Sequence, residues 1–163
     1  GLTGDGVGEV FRAEPVVVDP VRSPVQPLQA RAADGAAVEA SYRKPPGRGP
    51  FPAVVLIHGG LQTQRREKRE WFLTRGPVHT RLLAAGYVVV QATFRDYDPN
   101  DLLRPGPAQD VEAIYESVRA LGFVDAASVA LFGGSGGGSL ALEVAVRHRP
   151  SAVIAGEPAT ILF

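Results

Sequence analysis

Four short runs in this chain are apolar at every position: Ala53-Val54-Val55-Leu56-Ile57, Tyr87–Val90, Val129–Phe132 and Ala152–Ala155. A strand with one wet face alternates polar and apolar residues, so runs like these describe strands buried on both faces. Stretches with helical spacing separate them. One covers Val78–Ala85 and is closed by Gly86. A second covers Ala108–Leu121, with Val111, Ile114, Tyr115, Val118 and Leu121 on one face and Gly122 as the stop. A third covers Gly137–Arg147 and is closed by His148-Arg149-Pro150. Strands alternating with helices of this length imply an α/β fold with a parallel sheet built from right-handed crossovers.

The chain ahead of these runs has a different character. Val25–Ala32 and Ala36–Tyr42 are β-like and flank Ala33-Asp34-Gly35, a turn signal, so an antiparallel hairpin is expected. Lys44-Pro45-Pro46-Gly47-Arg48-Gly49-Pro50 must be a loop. Residues 1–24, with Val16-Val17-Val18, read as an N-terminal extension or edge strand. Residues 25–163 read as the N-terminal portion of one domain, since 163 residues leave no room for two ordinary ones. Gln62–Glu70 carries several basic residues, but two glutamates interrupt them, and it is expected to be a solvated loop or helix turn.

Composition removes several functions. The 45% apolar and 21% charged residues are those of a globular protein. A formal net charge of zero gives no field to attract nucleic acid or an anionic membrane, and neither is expected as a partner. The absence of cysteine excludes disulfides, thiolate metal sites and a cysteine nucleophile; no metal or cofactor is expected. No apolar run approaches the ~20 residues of a membrane span. Gly1-Leu2-Thr3-Gly4-Asp5-Gly6 is no signal peptide, and methionine is absent even at position 1, so a processed chain is expected. The compartment is not written in the residues, although the balance tilts toward a secreted or periplasmic location.

Chemistry concentrates at one junction. Val129–Phe132 leads into Gly133-Gly134-Ser135-Gly136-Gly137-Gly138, and helical spacing resumes from Ser139. A strand, G-x-S-x-G and a helix in that order make a nucleophile elbow. The serine must sit on a turn so sharp that its φ is positive, and glycines two residues to either side avoid clashes with the neighbouring strand and helix. Ser135 is therefore the expected nucleophile, and the N–H of Gly136, at the positive end of the helix, an expected oxyanion donor. His58-Gly59-Gly60-Leu61 follows an earlier core strand, as an oxyanion loop would, with the N–H of Gly60 or Leu61 as second donor. His58 is read as shaping that loop rather than as a catalyst. A dinucleotide fingerprint competes for the same glycines: Gly136-x-Gly138-x-x-Ala141, with Glu157 about twenty residues on. It normally follows the first strand of its fold, and it accounts for neither Ser135 nor His58-Gly59-Gly60.

From Val25 to Phe163 the chain resembles the α/β-hydrolases of the prolyl oligopeptidase, dienelactone hydrolase and acetyl xylan esterase group. The resemblance rests on the opening hairpin, Val54-Val55-Leu56-Ile57-His58-Gly59-Gly60, Phe94-Arg95-Asp96-Tyr97, Asp110-Val111-Glu112-Ala113 and Phe132-Gly133-Gly134-Ser135-Gly136-Gly137. It implies a serine that attacks an ester or peptide carbonyl, with a histidine and an acid completing a triad in the order Ser, acid, His.

The triad is where the sequence departs from the group. His148 lies thirteen residues along the helix that starts at the elbow, which at ~1.5 Å per residue is about 20 Å from the serine. His79 precedes the nucleophile. Glu157, at the end of the strand after the elbow, is the one candidate acid. Asp96, Asp98, Asp101 and Asp110 read as loop residues and a helix cap. The base is therefore expected from a C-terminal fragment of the same hydrolase, bound as a second chain. Without a base, activity would fall by a factor on the order of 10⁶. The leading expectation is a carboxylic-ester hydrolase acting on a small-molecule ester. The alternatives are a prolyl oligopeptidase-type peptidase, an inactive hydrolase-like binding domain and the dinucleotide module.

Overall fold

A computed structural model describes residues 14–98 and 104–159. Six strands form one sheet: β1 (Gln26–Arg31), β2 (Ala37–Arg43), β3 (Phe51–Ile57), β4 (Val88–Ala92), β5 (Val124–Gly134) and β6 (Val153–Gly156), in the spatial order β1-β2-β4-β3-β5-β6. β1 pairs antiparallel with β2, and β2 antiparallel with β4. The remaining pairs are parallel. The sheet is thus mixed and mostly parallel, opened by an antiparallel hairpin. Gly35, at φ +88°, makes the hairpin turn.

The described helices are α1 (Arg66–Arg75), α2 (Pro77–Ala84), α3 (Gly106–Arg119) and α4 (Gly136–His148). The pleat of β3 explains their placement. Ala53, Val55 and Ile57 face one side, where they pack with Val111, Ile114 and Val118 of α3 and with Leu140 and Val144 of α4. Val54 and Leu56 face the other, against Leu73 of α1 and Leu83 of α2. Burial of a core strand on both faces is the reason its sequence shows no alternation.

Several expectations shift. Gln62–Glu70 is not simply solvated: its second half starts a ten-residue helix, α1, whose Arg69 is 4% exposed. No strand forms over residues 14–25; the backbone there is held from outside, as where the Val16 N–H donates to Thr80 Oγ1 at 3.0 Å. β6 alternates half-buried and exposed residues instead of being buried throughout, since it has a neighbour on one side only among the described residues. Asp110 is no cap. It lies in the second turn of α3, which begins after Pro105 without a side-chain cap. Asp101 and Gly1–Gly6 lie outside the described residues.

Candidate active site

Ser135 stands between the last residue of β5 and the first of α4, with φ 52° and ψ −124°. A side chain in that conformation is strained, by about 1–3 kcal/mol, and persists only where its surroundings hold it. Backbone hydrogen bonds do so here. The Ser135 N–H donates to Gly156 O at 2.9 Å, and the Ser135 carbonyl accepts from Gly138 at 2.9 Å, Ser139 at 3.2 Å and Ala159 at 3.2 Å. The side chain projects at an exposed position.

Two of the glycines around it leave no room for a side chain. A Cβ on Gly133 would lie 2.1 Å from Gly137 O, and one on Gly137 would lie 2.3 Å from Ile57 O and 2.5 Å from His58 O. These are the two glycines of G-x-S-x-G, and each is needed because backbone occupies the space of its side chain. Gly136-x-Gly138, the start of the dinucleotide pattern, is the first turn of α4 packed on neighbouring backbone: Cβ atoms there would lie 2.8 Å from Gly60 O and 3.2 Å from Gly133 O. In that turn the N–H of Gly136 has no intrahelical acceptor and follows the serine directly.

The His58–Leu61 loop comes against the elbow. A Cβ on Gly59 would stand 3.4 Å from Ser135 Cβ, and Gly60 adopts φ +89°. Residues after β4 hold this loop. Leu61 O accepts the Tyr97 N–H at 2.8 Å, Asp96 Oδ1 accepts the Thr63 N–H at 2.6 Å, and Thr93 Oγ1 accepts the Gln64 N–H at 2.6 Å. The His58 ring joins the same network. Its Nδ1 faces Gly59 O at 2.9 Å, its Nε2 faces Thr93 Oγ1 at 3.2 Å, and it stacks on Phe94 at 4.4 Å. These bonds suit a neutral ring that donates from Nδ1 and accepts at Nε2, and burial lowers the His58 pKa in the same sense.

Arg95 anchors the supporting segment. Its guanidinium reaches Asp110 at 2.6 Å and Asp34 at 2.5 Å, and its backbone N–H donates to Asp110 at 2.7 Å. The hairpin turn, the segment after β4 and α3 are thereby joined. The hydrogen bonds to Arg95 hold Asp34 at a pKa of about 2. Thr93, Asp96 and Arg95 carry no motif that names this role. Thr93 and Asp96 support a loop some thirty positions earlier in the chain, and Arg95 joins Asp34, 61 positions earlier, to Asp110, 15 positions later, so local pattern gives no sign of these roles.

The structure brings Ser135, Gly136, Gly60 and Leu61 to one end of the sheet, with Glu157 beside them. It leaves the other histidines elsewhere. His79 is 8% exposed on the α2 side, bonded to Gln91 Oε1 at 2.6 Å and stacked on Phe72. His148 closes the far end of α4, 3.0 Å from Glu116 Oε1 and edge-on to Tyr115. Glu157 follows β6 directly, exposed and with φ 44°.

Residues 41–153 match the BD-FAE family. No curated protein matches the sequence. Among solved structures the chain is similar to the esterase Est22, with a TM-score of 0.70 and 20% identity over 96% of this chain and 51% of that one. It is also similar to brefeldin A esterase, a bacterial homologue of human hormone-sensitive lipase (TM-score 0.61, 27% identity, 95% and 46% covered). A third is EstE1, a thermostable carboxylesterase from a metagenomic library (0.64, 19%, 89% and 49%). The chain spans about half the length of these structures. No described helix is long and apolar enough to cross a membrane.

Proposed function

Because the chain belongs to the BD-FAE family of α/β-hydrolases, we propose that it carries the nucleophile of a serine esterase that cleaves carboxylic esters through an acyl-enzyme on Ser135. The observation that carries this is the conformation of Ser135: strained, exposed, held by backbone bonds to Gly156, Gly138, Ser139 and Ala159, and in close approach to a His-Gly-Gly loop. The esterase neighbours support the reaction class.

In this reading Ser135 Oγ attacks the ester carbonyl and loses its proton to a base. The tetrahedral oxyanion accepts hydrogen bonds from Gly136 N–H and from the N–H of Gly60 or Leu61. Collapse expels the alcohol and leaves Ser135 acylated, and water then releases the acid. Donors fixed before the reaction stabilise charge without reorganising, and one such donor is worth about 10²–10³ in rate.

The base comes from outside these 163 residues. His58 is committed to Thr93 and Gly59, His79 to Gln91, and His148 to the opposite end of α4. A C-terminal part of the same hydrolase, bound as a second chain, would bring the histidine and pair with the open edge of β6. Ile154 of β6 is 54% exposed, and Leu142 and Val146 of α4 are exposed at 45% and 82%. Glu157 sits where it could serve as the acid of that assembly. Hydrolysis of p-nitrophenyl acetate by the chain, alone and with its complementary part, tests the proposal. Turnover is expected with both parts and a loss on the order of 10⁶ in Ser135→Ala. Equal turnover by Ser135→Ala would overturn it.

A further inference from the structure

A closed ring of hydrogen bonds joins the segment after β6 to the first turn of α4. The Ala159 N–H donates to the Ser135 carbonyl at 3.2 Å, and the Ala159 carbonyl accepts from Ser139 Oγ at 2.5 Å. The ring closes inside the helix, where the Ser139 N–H donates to the Ser135 carbonyl at 3.2 Å. A serine within a helix commonly points to solvent or bonds the carbonyl four residues back, which for Ser139 is that of Ser135. Here the hydroxyl leaves its own helix and reaches a residue twenty positions later.

Burial does not require this bond. Ala159 is exposed and Ser139 half-buried, so water satisfies both groups when the segment swings away. What the ring does is fix the chain on both sides of Glu157. On one side Gly156 O accepts the Ser135 N–H at 2.9 Å; on the other, Ala159 bonds both Ser135 and Ser139. Between them Pro158 Cα lies 3.3 Å from where a Cβ on Gly138 would stand, so the turn rests against the start of the helix. Two strained residues, Ser135 at φ 52° and Glu157 at φ 44°, are held by the same bonds. Such conformations persist only where their surroundings over-determine them. Ser139 supplies the side-chain donor among these bonds.

Resting on the esterase reading of Ser135, we propose that Ser139 is a positioning residue for the reaction. Its hydroxyl acts through the Ala159 carbonyl, holding the Ser135 backbone at the angle from which Oγ attacks and holding Glu157 beside it. Without this bond the 157–159 turn loosens, and the Ser135 carbonyl loses the donor that reaches it from outside its helix. The ester still binds, but fewer bound encounters place Oγ in line with the carbonyl carbon. A misplacement of about 1 Å can cost about 10²-fold in rate, so the loss falls on the chemical step and not on binding.

Two variants of the full chain test this: Ser139→Ala removes the hydroxyl and Ser139→Thr keeps it. Amide hydrogen exchange, which needs no catalysis, should speed up at Ala159 in the alanine variant and return to the parent rate in the threonine variant. With the proposed C-terminal part present, the maximal rate of fluorophosphonate labelling at Ser135 should fall between about tenfold and 10²-fold in Ser139→Ala. The half-saturating probe concentration and the urea midpoint should stay at their parent values, and threonine should restore the rate. An unchanged labelling rate in Ser139→Ala, unchanged exchange at Ala159, or a slow rate that threonine leaves slow would overturn the proposal. So would a slow rate accompanied by a lowered urea midpoint, which would assign Ser139 to stability alone. No labelling of the parent chain would overturn the esterase reading itself, whereas a parent and an alanine variant labelled equally fast would remove the positioning role alone.

Discussion

The amide of Ser135 donates to the carbonyl of Gly156 at 2.9 Å, which ties the expected nucleophile to the strand at the far edge of the sheet. Three residues on, Ala159 donates back to the Ser135 carbonyl at 3.2 Å and accepts a hydrogen bond from Ser139 Oγ at 2.5 Å. The segment after β6 thus clasps the elbow from both sides. It contains a second strained residue, Glu157 at φ 44°. The strain at Ser135 is offset by bonds from β6 and from its own helix, so the elbow depends on both elements.

The glycines around the elbow should divide sharply. Gly137→Ala places a methyl 2.3 Å from Ile57 O, where only backbone could move aside, whereas Gly134→Ala meets nothing closer than Gly156 O at 3.8 Å. Urea unfolding should show a loss of roughly 3 kcal/mol or more for Gly137→Ala and less than about 1 kcal/mol for Gly134→Ala. Equal losses would show that the packing around the elbow is misdescribed.

Thr93 should matter more than a threonine beside a strand usually does. Its hydroxyl accepts the buried Gln64 N–H and faces His58 Nε2. Thr93→Val keeps the shape and leaves that N–H unpaired, at a cost of about 1–3 kcal/mol. The loosened loop should slow acylation of Ser135, and Thr93→Ser should restore both stability and rate. A valine variant with unchanged rate would separate this loop from the chemistry.

Arg43 is 2% exposed and makes no ion pair among the described residues; its guanidinium donates to the carbonyls of Ser23 at 2.7 Å, Val18 at 3.1 Å and Leu73 at 3.2 Å. Arg43→Leu strands those acceptors and should cost about 3 kcal/mol. Limited proteolysis should then cut within residues 14–23 before the rest of the domain. Resistance equal to the parent chain would contradict this.

Stability should fall with acid in two stages. Burial lowers the pKa of His58 and His79 in the folded chain below their ordinary 6.5. Above that value both states are neutral, and the full stability is present. As pH drops below about 6.5 the unfolded chain takes up protons that the folded chain resists, so stability falls. The Asp34 contribution, with its pKa of about 2, persists until pH drops below about 4. Urea midpoints measured from pH 7.5 to 5.5 should decline, and less steeply in His79→Gln. A flat profile would contradict the buried, neutral histidines.

The parts legible in the sequence are those where one physical demand repeats locally. The apolar runs of β3 and β4, the Val111–Ile114–Tyr115–Val118 face of α3 and the glycines of the elbow are of this kind. α1 was hidden because its charges look solvated; Arg69 is buried only because Glu39, Ser41 and the Gln64 carbonyl meet it from elsewhere in the chain. β5 starts at Val124, earlier than its apolar run, since Asp125-Ala126-Ala127-Ser128 has the composition of a turn. Asp110 read as a cap because its partner Arg95 lies fifteen residues away, across a loop. The helix period predicts its burial, and nothing local predicts its ion pair.

Reaction of the chain with a fluorophosphonate, followed by peptide mapping, bears most directly on the central claim. With the proposed C-terminal part present, one phosphonyl group should appear on the peptide containing Ser135 and vanish in Ser135→Ala, while His148→Gln leaves it in place. A label on any other residue, or none on Ser135 with every part of the hydrolase assembled, would contradict the assignment of Ser135 as the nucleophile.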